Sequence, residues 1–176
     1  MNAAPEYRPN ANELGRLVYY AQCKPAKLSK VGRLLMTRAS SESRAFMAAN
    51  TEKNKALVMI TLGVLRDLVS SCQEGHAYLA PAVRSMLTDA VNVAAPTGSA
   101  MTSWDMDICA RASSIFAMYV QSIPAGEVDT DDAVSSAVFQ GLSDLQRLGK
   151  GHASDHSRMI WIAGINGLIR SPVLMT

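Results

Sequence analysis

The sequence predicts an all-α protein, a solenoid of stacked helical hairpins with about seven helices, and three observations lead there. Of the 176 residues 48% are hydrophobic but only 6% aromatic, a balance rich in Ala, Leu, Val and Met that favours helix over strand. Apolar residues recur at i, i+3, i+4 and i+7 in segment after segment. The hairpins those segments form start near residues 10, 51 and 103, a spacing of about 40–50 residues that matches the period of armadillo and HEAT repeats.

Each element follows from local signals. After Pro5 and Pro9, Asn10 or Asn12 can cap a first helix carrying Leu14, Leu17, Val18 and Ala21 on one stripe. Pro25 stands where the first turn of a second helix begins, with Leu28, Val31, Leu35 and Ala39 on one face, so the first two helices are expected to close as a hairpin near Lys24. Thr51 can cap a third helix, apolar on nearly all sides from Leu57 to Val69, which is expected at the centre. Pro81 is expected in the first turn of a fourth helix bearing Val83, Met86, Leu87, Ala90, Val91 and Ala94, ended by Pro96 and Gly98 and paired with the third.

Thr102 to Asp105 reads as a capping-box variant opening a fifth helix with Ile108, Ala112, Ile115, Phe116 and Tyr119, closed by Pro124 and Gly126. Asp129 or Thr130 is the expected cap of a sixth, with Val134, Val138, Leu142, Leu145 and Leu148, stopped at Gly149-Lys150-Gly151. Ser154 is expected to cap a seventh, from about Asp155 to Arg170, apolar all round and without a following partner. Solenoid ends usually carry a polar cap, so residues 1–176 are expected to form one helical-repeat domain at the start of a longer rod.

Chemistry is sparse. Cys23, Cys72 and Cys109 are odd in number and widely spaced, and the start Met-Asn-Ala-Ala carries no signal pattern, so a reducing compartment and buried, inert thiols are expected. Asn2 stands where myristoylation needs Gly. The run Ala56–Leu65 is bracketed by charges and falls short of the roughly 20 residues that span a bilayer. His152 and His156 have an i, i+4 spacing but straddle a helix start with no third ligand nearby. Glu127, Asp129, Asp131 and Asp132 lack the Gly and final Glu of a calcium loop. Gly141 to Lys150 misses the phosphate-loop pattern. The Tyr19-Tyr20 pair, Trp104 and Trp161 read as core. No enzyme activity, metal or cofactor is expected.

Charge is the informative feature. Net charge is only +2, yet residues 1–70 hold 11 Lys or Arg against 5 acids, while residues 71–176 hold 6 against 10. Ten of those cations are the candidate lipid contacts: Arg8, Arg16, Lys24, Lys27, Lys30, Arg33, Arg38, Arg44, Lys53 and Lys55. On the second helix Lys30 and Arg33 fall opposite the apolar stripe and Lys27 and Arg38 flank it, with no acid before Glu42 to pair with them. An unpaired cationic face attracts a polyanion. Nucleic-acid binders usually interleave aromatics and exceed pI 9; here the pI is about 8.5 and the helix bears mostly Lys. Anionic phospholipids, at about 1 kcal/mol per Lys or Arg near the surface, fit better, and nucleic acid is not expected. The alternative is a helical-repeat protein-interaction module whose basic face is incidental.

Two stretches carry a resemblance. EYRPNANELGRLVYYAQCKPAKLSKVGRLL and KNKALVMITLGVLRDLVSSC resemble the N-terminal part of the Rolling blackout family of peripheral plasma-membrane proteins, especially its fungal members. The family's Glu-Leu-x-x-Leu-x-Tyr-Tyr helix matches Glu13-Leu14 through Tyr19-Tyr20, and its Lys-Leu-x-Lys-Val-Gly helix matches Lys27-Leu28 through Val31-Gly32. The resemblance is specific over residues 6–72 and pattern-level over 76–170. It implies a long rod of armadillo- or HEAT-like repeats that binds acidic phospholipids of the inner leaflet through a basic N-terminal patch, at the cytoplasmic face of the plasma membrane. It further implies anchoring of a phosphatidylinositol 4-kinase complex, held through a tetratricopeptide-repeat adaptor by regions beyond this chain. The basic segment, often with a Cys, that precedes this region in the family has no counterpart in these 176 residues.

Overall fold

The computed structural model describes residues 7–94, 103–124, 127–150 and 155–171, which are helical apart from their connections, with no strand among them. The helices are α1 Ala11–Cys23, α2 Leu28–Ala48, α3 Glu52–Ser71, α4 His76–Ala94, α5 Ser103–Ser122, a single turn α6 Glu127–Thr130, α7 Asp132–Lys150 and α8 Asp155–Ile169. The chain is an all-α helical-repeat solenoid. None of the described helices is long and apolar enough to cross a membrane.

The helices form two layers. In one, α1 packs on α3, α3 on α5, and α5 on α8; in the other, α2 packs on α4 and α4 on α7. The layers are joined chiefly by α2 on α3, α4 on α5, and α7 on α8. Alternate helices are therefore the close neighbours, as in a repeat array. The expected hairpin of the first two helices does not form as a packed pair, because α1 lays Ala21, Leu17 and Val18 on the core against α3. A 3₁₀ turn at Pro25–Lys27 then carries the chain across to the second layer.

Caps set several boundaries. The Asn10 side chain accepts from the backbone N–H groups of Asn12 and Glu13 at 3.0 and 3.3 Å, which settles it as the cap of α1. Thr51 caps α3 by accepting from the Asn54 N–H at 3.3 Å, while the Asn54 amide donates back to the Ala45 and Ala49 carbonyls at the end of α2. The cap of α7 is Asp131, whose Oδ1 accepts from Ala133 and Val134 at 2.8 and 3.1 Å. Asp129 and Thr130, the expected caps, belong instead to α6. The stops at Pro96, Gly98 and Gly126, the cap at Ser154 and the side chains of the Thr102–Asp105 box lie outside the described residues.

Three further expectations are overturned by tertiary packing, the first being the pairing of α4 with α3, since α4 packs chiefly on α2, α5 and α7. Pro81 lies six residues into α4 rather than in its first turn. An internal proline costs roughly 3 kcal/mol, but starting the helix at Pro81 would leave Leu79 and Ala80, both buried, outside it. The central helix is α4, not α3. It touches α2, α5 and α7 and buries Leu79, Ala80, Ala82, Val83, Met86, Leu87, Ala90, Val91 and Val93, whereas Leu57, Ile60 and Val64 of α3 remain half-buried. Contact between α2 and α4 is tight at Gly32, where a Cβ would stand 3.1 Å from the Tyr78 carbonyl oxygen.

The periodic stripes are otherwise inside, with Val134, Val138, Leu145 and Leu148 of α7 and Ile108, Ala112, Ile115, Phe116 and Tyr119 of α5 all buried. Helix α8 buries Leu168 and packs Ile160, Trp161 and Ile165 on the core, but exposes Met159, Ile162 and Ile169. Polar ties reinforce the joints. Gln121 donates to the Gly167 carbonyl at 2.6 Å, and the buried Asp144 of α7 accepts from Thr88 of α4 at 2.5 Å and from Arg147 at 3.2 Å.

Candidate functional site on the second helix

A helix wheel on α2 puts Leu28, Gly32, Leu35, Ala39, Ser43 and Phe46 inward, and all six are buried. The opposite face carries Lys30, Arg33, Leu34, Thr37 and Ser41, with Lys27 just before the helix in the same line; Ser41 and the others are all exposed. Lys27, Lys30, Leu34 and Arg38 succeed one another at steps of three or four residues, so they form one ridge.

The cations along this ridge are not equivalent. Arg38 is paired, its Nε donating to Glu42 Oε1 at 2.7 Å, and Glu42 is turned inward, its Oε2 accepting from Thr61 of α3 at 2.6 Å. That i, i+4 pair neutralises the C-terminal part of the ridge. Arg44 lies beyond it, donating to the Ser40 carbonyl at 3.1 Å. Lys27, Lys30 and Arg33 have no carboxylate partner among the described residues. Lys24, at the turn, places its ammonium 5.5 Å from the Tyr20 ring centroid, a cation–π contact. Arg16 is exposed on α1, Arg8 on the segment leading into it, and Lys53 in the first turn of α3.

Lys55 does not belong to this set. Its side chain is buried, with Nζ 2.5 Å from Asp107 Oδ2 of α5 and 6.0 Å from the Tyr7 ring centroid. Tyr7 donates from its hydroxyl to Glu52 Oε1 at 2.9 Å. Lys55 thus joins α3, α5 and the segment before α1, and it is removed from any exposed surface.

The unpaired cations also stand at the electrostatically adverse end of their helix. The first turn of α2 has no acid and its start has no side-chain cap. The helix macrodipole already makes that end positive, so a cation there costs about 0.3–1 kcal/mol at low salt. Stability alone would favour Asp or Glu at Lys27 and Lys30. The potential of the helix end and that of the side chains add, which makes this the part of α2 most attractive to anions.

Other candidates resolve differently. Tyr19 and Tyr20, expected in the core, are 70% and 41% exposed. Cys23 is exposed too, whereas Cys72 and Cys109 are buried as expected. Burial raises the pKa of both buried thiols, that of Cys109 to about 11, which disfavours the nucleophilic thiolate. Gly141 to Lys150 is continuous helix and forms no phosphate loop. Among the described residues no three His, Cys, Asp or Glu side chains could hold a metal, and the side chains of His152 and His156 lie outside them. His76 is buried, its Nδ1 3.9 Å from Glu127 Oε2 and its ring edge-on to Tyr119, which donates to the His76 carbonyl at 3.2 Å.

The fold and this surface define a class: a two-layered α-helical repeat protein with an unpaired cationic ridge on its second helix. No family profile and no solved structure matches the chain. Among curated proteins it is similar to Protein EFR3 of Mycosarcoma maydis, 40% identical over 84% of this chain and 13% of that relative. It is also similar to Protein EFR3 of Cryptococcus neoformans, 28% identical over 99% of this chain and 18% of the relative, and of Candida albicans, 23% identical over 94% and 16%. The chain belongs to the EFR3 family, the Rolling blackout family. It spans less than a fifth of the length of these relatives.

Proposed function

We propose that this chain is part of a non-enzymatic peripheral membrane scaffold whose α2 ridge binds acidic phospholipids at the cytoplasmic face of the plasma membrane. One observation carries the proposal: Lys27, Lys30 and Arg33 are exposed at the positive end of α2 with no carboxylate partner among the described residues. At about 1 kcal/mol for each cation near an anionic leaflet, the three, with Lys24, Arg16, Arg8 and Lys53 assisting, give reversible attachment that needs a second anchor. Membership of the EFR3 family supports extending the reading to a scaffold that anchors a phosphatidylinositol 4-kinase complex, with a tetratricopeptide-repeat adaptor engaged by other parts of the longer protein.

The test is co-sedimentation with phosphatidylcholine vesicles with and without phosphatidylserine. Reversing Lys27, Lys30 and Arg33 to Glu abolishes binding to anionic vesicles while helicity by circular dichroism is unchanged; undiminished sedimentation would sink the proposal. A second reading, a protein-interaction module, is favoured by the exposed Met159, Ile162 and Ile169 of α8. It requires that the wild-type chain ignore anionic vesicles at physiological salt.

A further inference from the structure

We propose that Leu34 is an apolar insertion point, seated within the cationic ridge so as to enter the boundary between headgroups and acyl chains of an anionic bilayer. The inference rests on the membrane reading above and adds to it a contribution that salt does not screen.

Leu34 is 62% exposed. A single exposed leucine is ordinary; its setting is not. Lys30 and Arg38 stand one turn to either side, Lys27 lies two turns back on the same line, and Arg33 adjoins it. The nearby outward positions Thr37 and Ser41 are short, so Leu34 is the large apolar group set among the ridge cations; the other exposed large apolar side chain of α2, Met47, lies more than three turns further along. Lys and Arg have long flexible stems that keep their charge at phosphate level while the backbone approaches the interface. A leucine among them reaches the acyl boundary when those cations are satisfied.

The pattern selects the partner. A helix docking into a protein groove presents anchors at i, i+3 or i+4, and i+7. The corresponding positions around Leu34 are Lys27, Lys30, Val31, Thr37, Arg38 and Ser41, of which only Val31 is apolar, and it packs against the protein's own core. One apolar side chain ringed by cations matches a fluid surface with acyl chains beneath anionic headgroups.

The experiment compares wild type, Leu34→Ser, Leu34→Trp and Lys30→Gln of the 176-residue chain on phosphatidylcholine vesicles containing phosphatidylserine, across a range of salt concentrations. Loss of the inserted surface weakens Leu34→Ser binding about three- to tenfold, by the same factor at every salt concentration, and Leu34→Trp binds at least as tightly as wild type. Lys30→Gln instead lowers the salt dependence itself. Equal affinity of Leu34→Ser and wild type throughout would overturn the insertion while leaving the electrostatic reading intact. Failure of the wild type to bind anionic vesicles would overturn both and direct the ridge to an acidic protein partner. Leu34 is exposed, so unchanged circular dichroism is expected of both leucine variants.

Discussion

Replacing Lys27 and Lys30 together by Glu is expected to make the protein more stable while depriving it of anionic-vesicle binding. Lys27 immediately precedes α2 and Lys30 lies in its first turn, where no acid and no capping side chain offset the positive helix end. Each reversal removes an unfavourable charge–dipole term and installs a favourable one, each about 0.3–1 kcal/mol at low ionic strength. The Lys30→Glu change also creates an i, i+3 pair with Arg33, worth about 0.2–0.5 kcal/mol. Allowing for screening at an exposed site, the double variant gains about 1 kcal/mol, or about 2–4 °C in Tm for a chain of this size. Differential scanning fluorimetry in low and high salt measures it, with vesicle co-sedimentation on the same samples. A lower Tm at low salt would refute the account of α2 as a helix whose first turn is compromised by its cations. A stabilised variant that still binds would separate those cations from lipid.

Two further outcomes test the interior. Lys55→Met removes the ammonium that reaches Asp107; because Asp107 is itself more than half exposed, the loss is expected to be about 1–3 kcal/mol, below that of a fully buried pair, read by urea unfolding, with vesicle affinity unchanged. A fall in affinity without destabilisation would return Lys55 to the surface set. Burial holds the His76 imidazole below its ordinary value of 6.5, only partly offset by Glu127. The unfolded chain therefore takes up the proton first as pH falls, so stability is full above about pH 7 and declines as pH drops through 6.5. His76→Gln removes that share of the decline in Tm between about pH 7 and 5.5; parallel curves for the two proteins would contradict it.

Much of the fold was legible because its signals are local. Asn10 and Thr51 announce helix starts through their own side chains, and the stripes of α5 and α7 need only a period of 3.6 to be recognised. What misled was information held elsewhere in the chain. Pro81 marks a helix start by its own chemistry, yet the pockets that bury Leu79 and Ala80 are built by other elements. Lys55 reads as one more solvated cation because its partner Asp107 is 52 residues away and on another helix. The place of Tyr19 is held in the register of its own helix: with Leu14, Leu17, Val18 and Ala21 inward, it falls on the far side of α1, although its aromatic ring is of a type common in cores. The unpaired part of the ridge was visible in the sequence, and the structure narrowed it by showing Glu42 bound to Arg38.

The close seat of α2 on α4 at Gly32 has a mechanical consequence. With no side chain on Gly32 and only the Ala82 methyl beside it, a load applied to the outer ridge of α2 passes into the Tyr78 backbone rather than into a thick, compressible layer of side chains. Helix α4 in turn bears on α2, α5 and α7, so force received on one helix is shared across both layers. A tether on the ridge would therefore pull on the array as a stiff lever, turning the following helices with it rather than peeling α2 away.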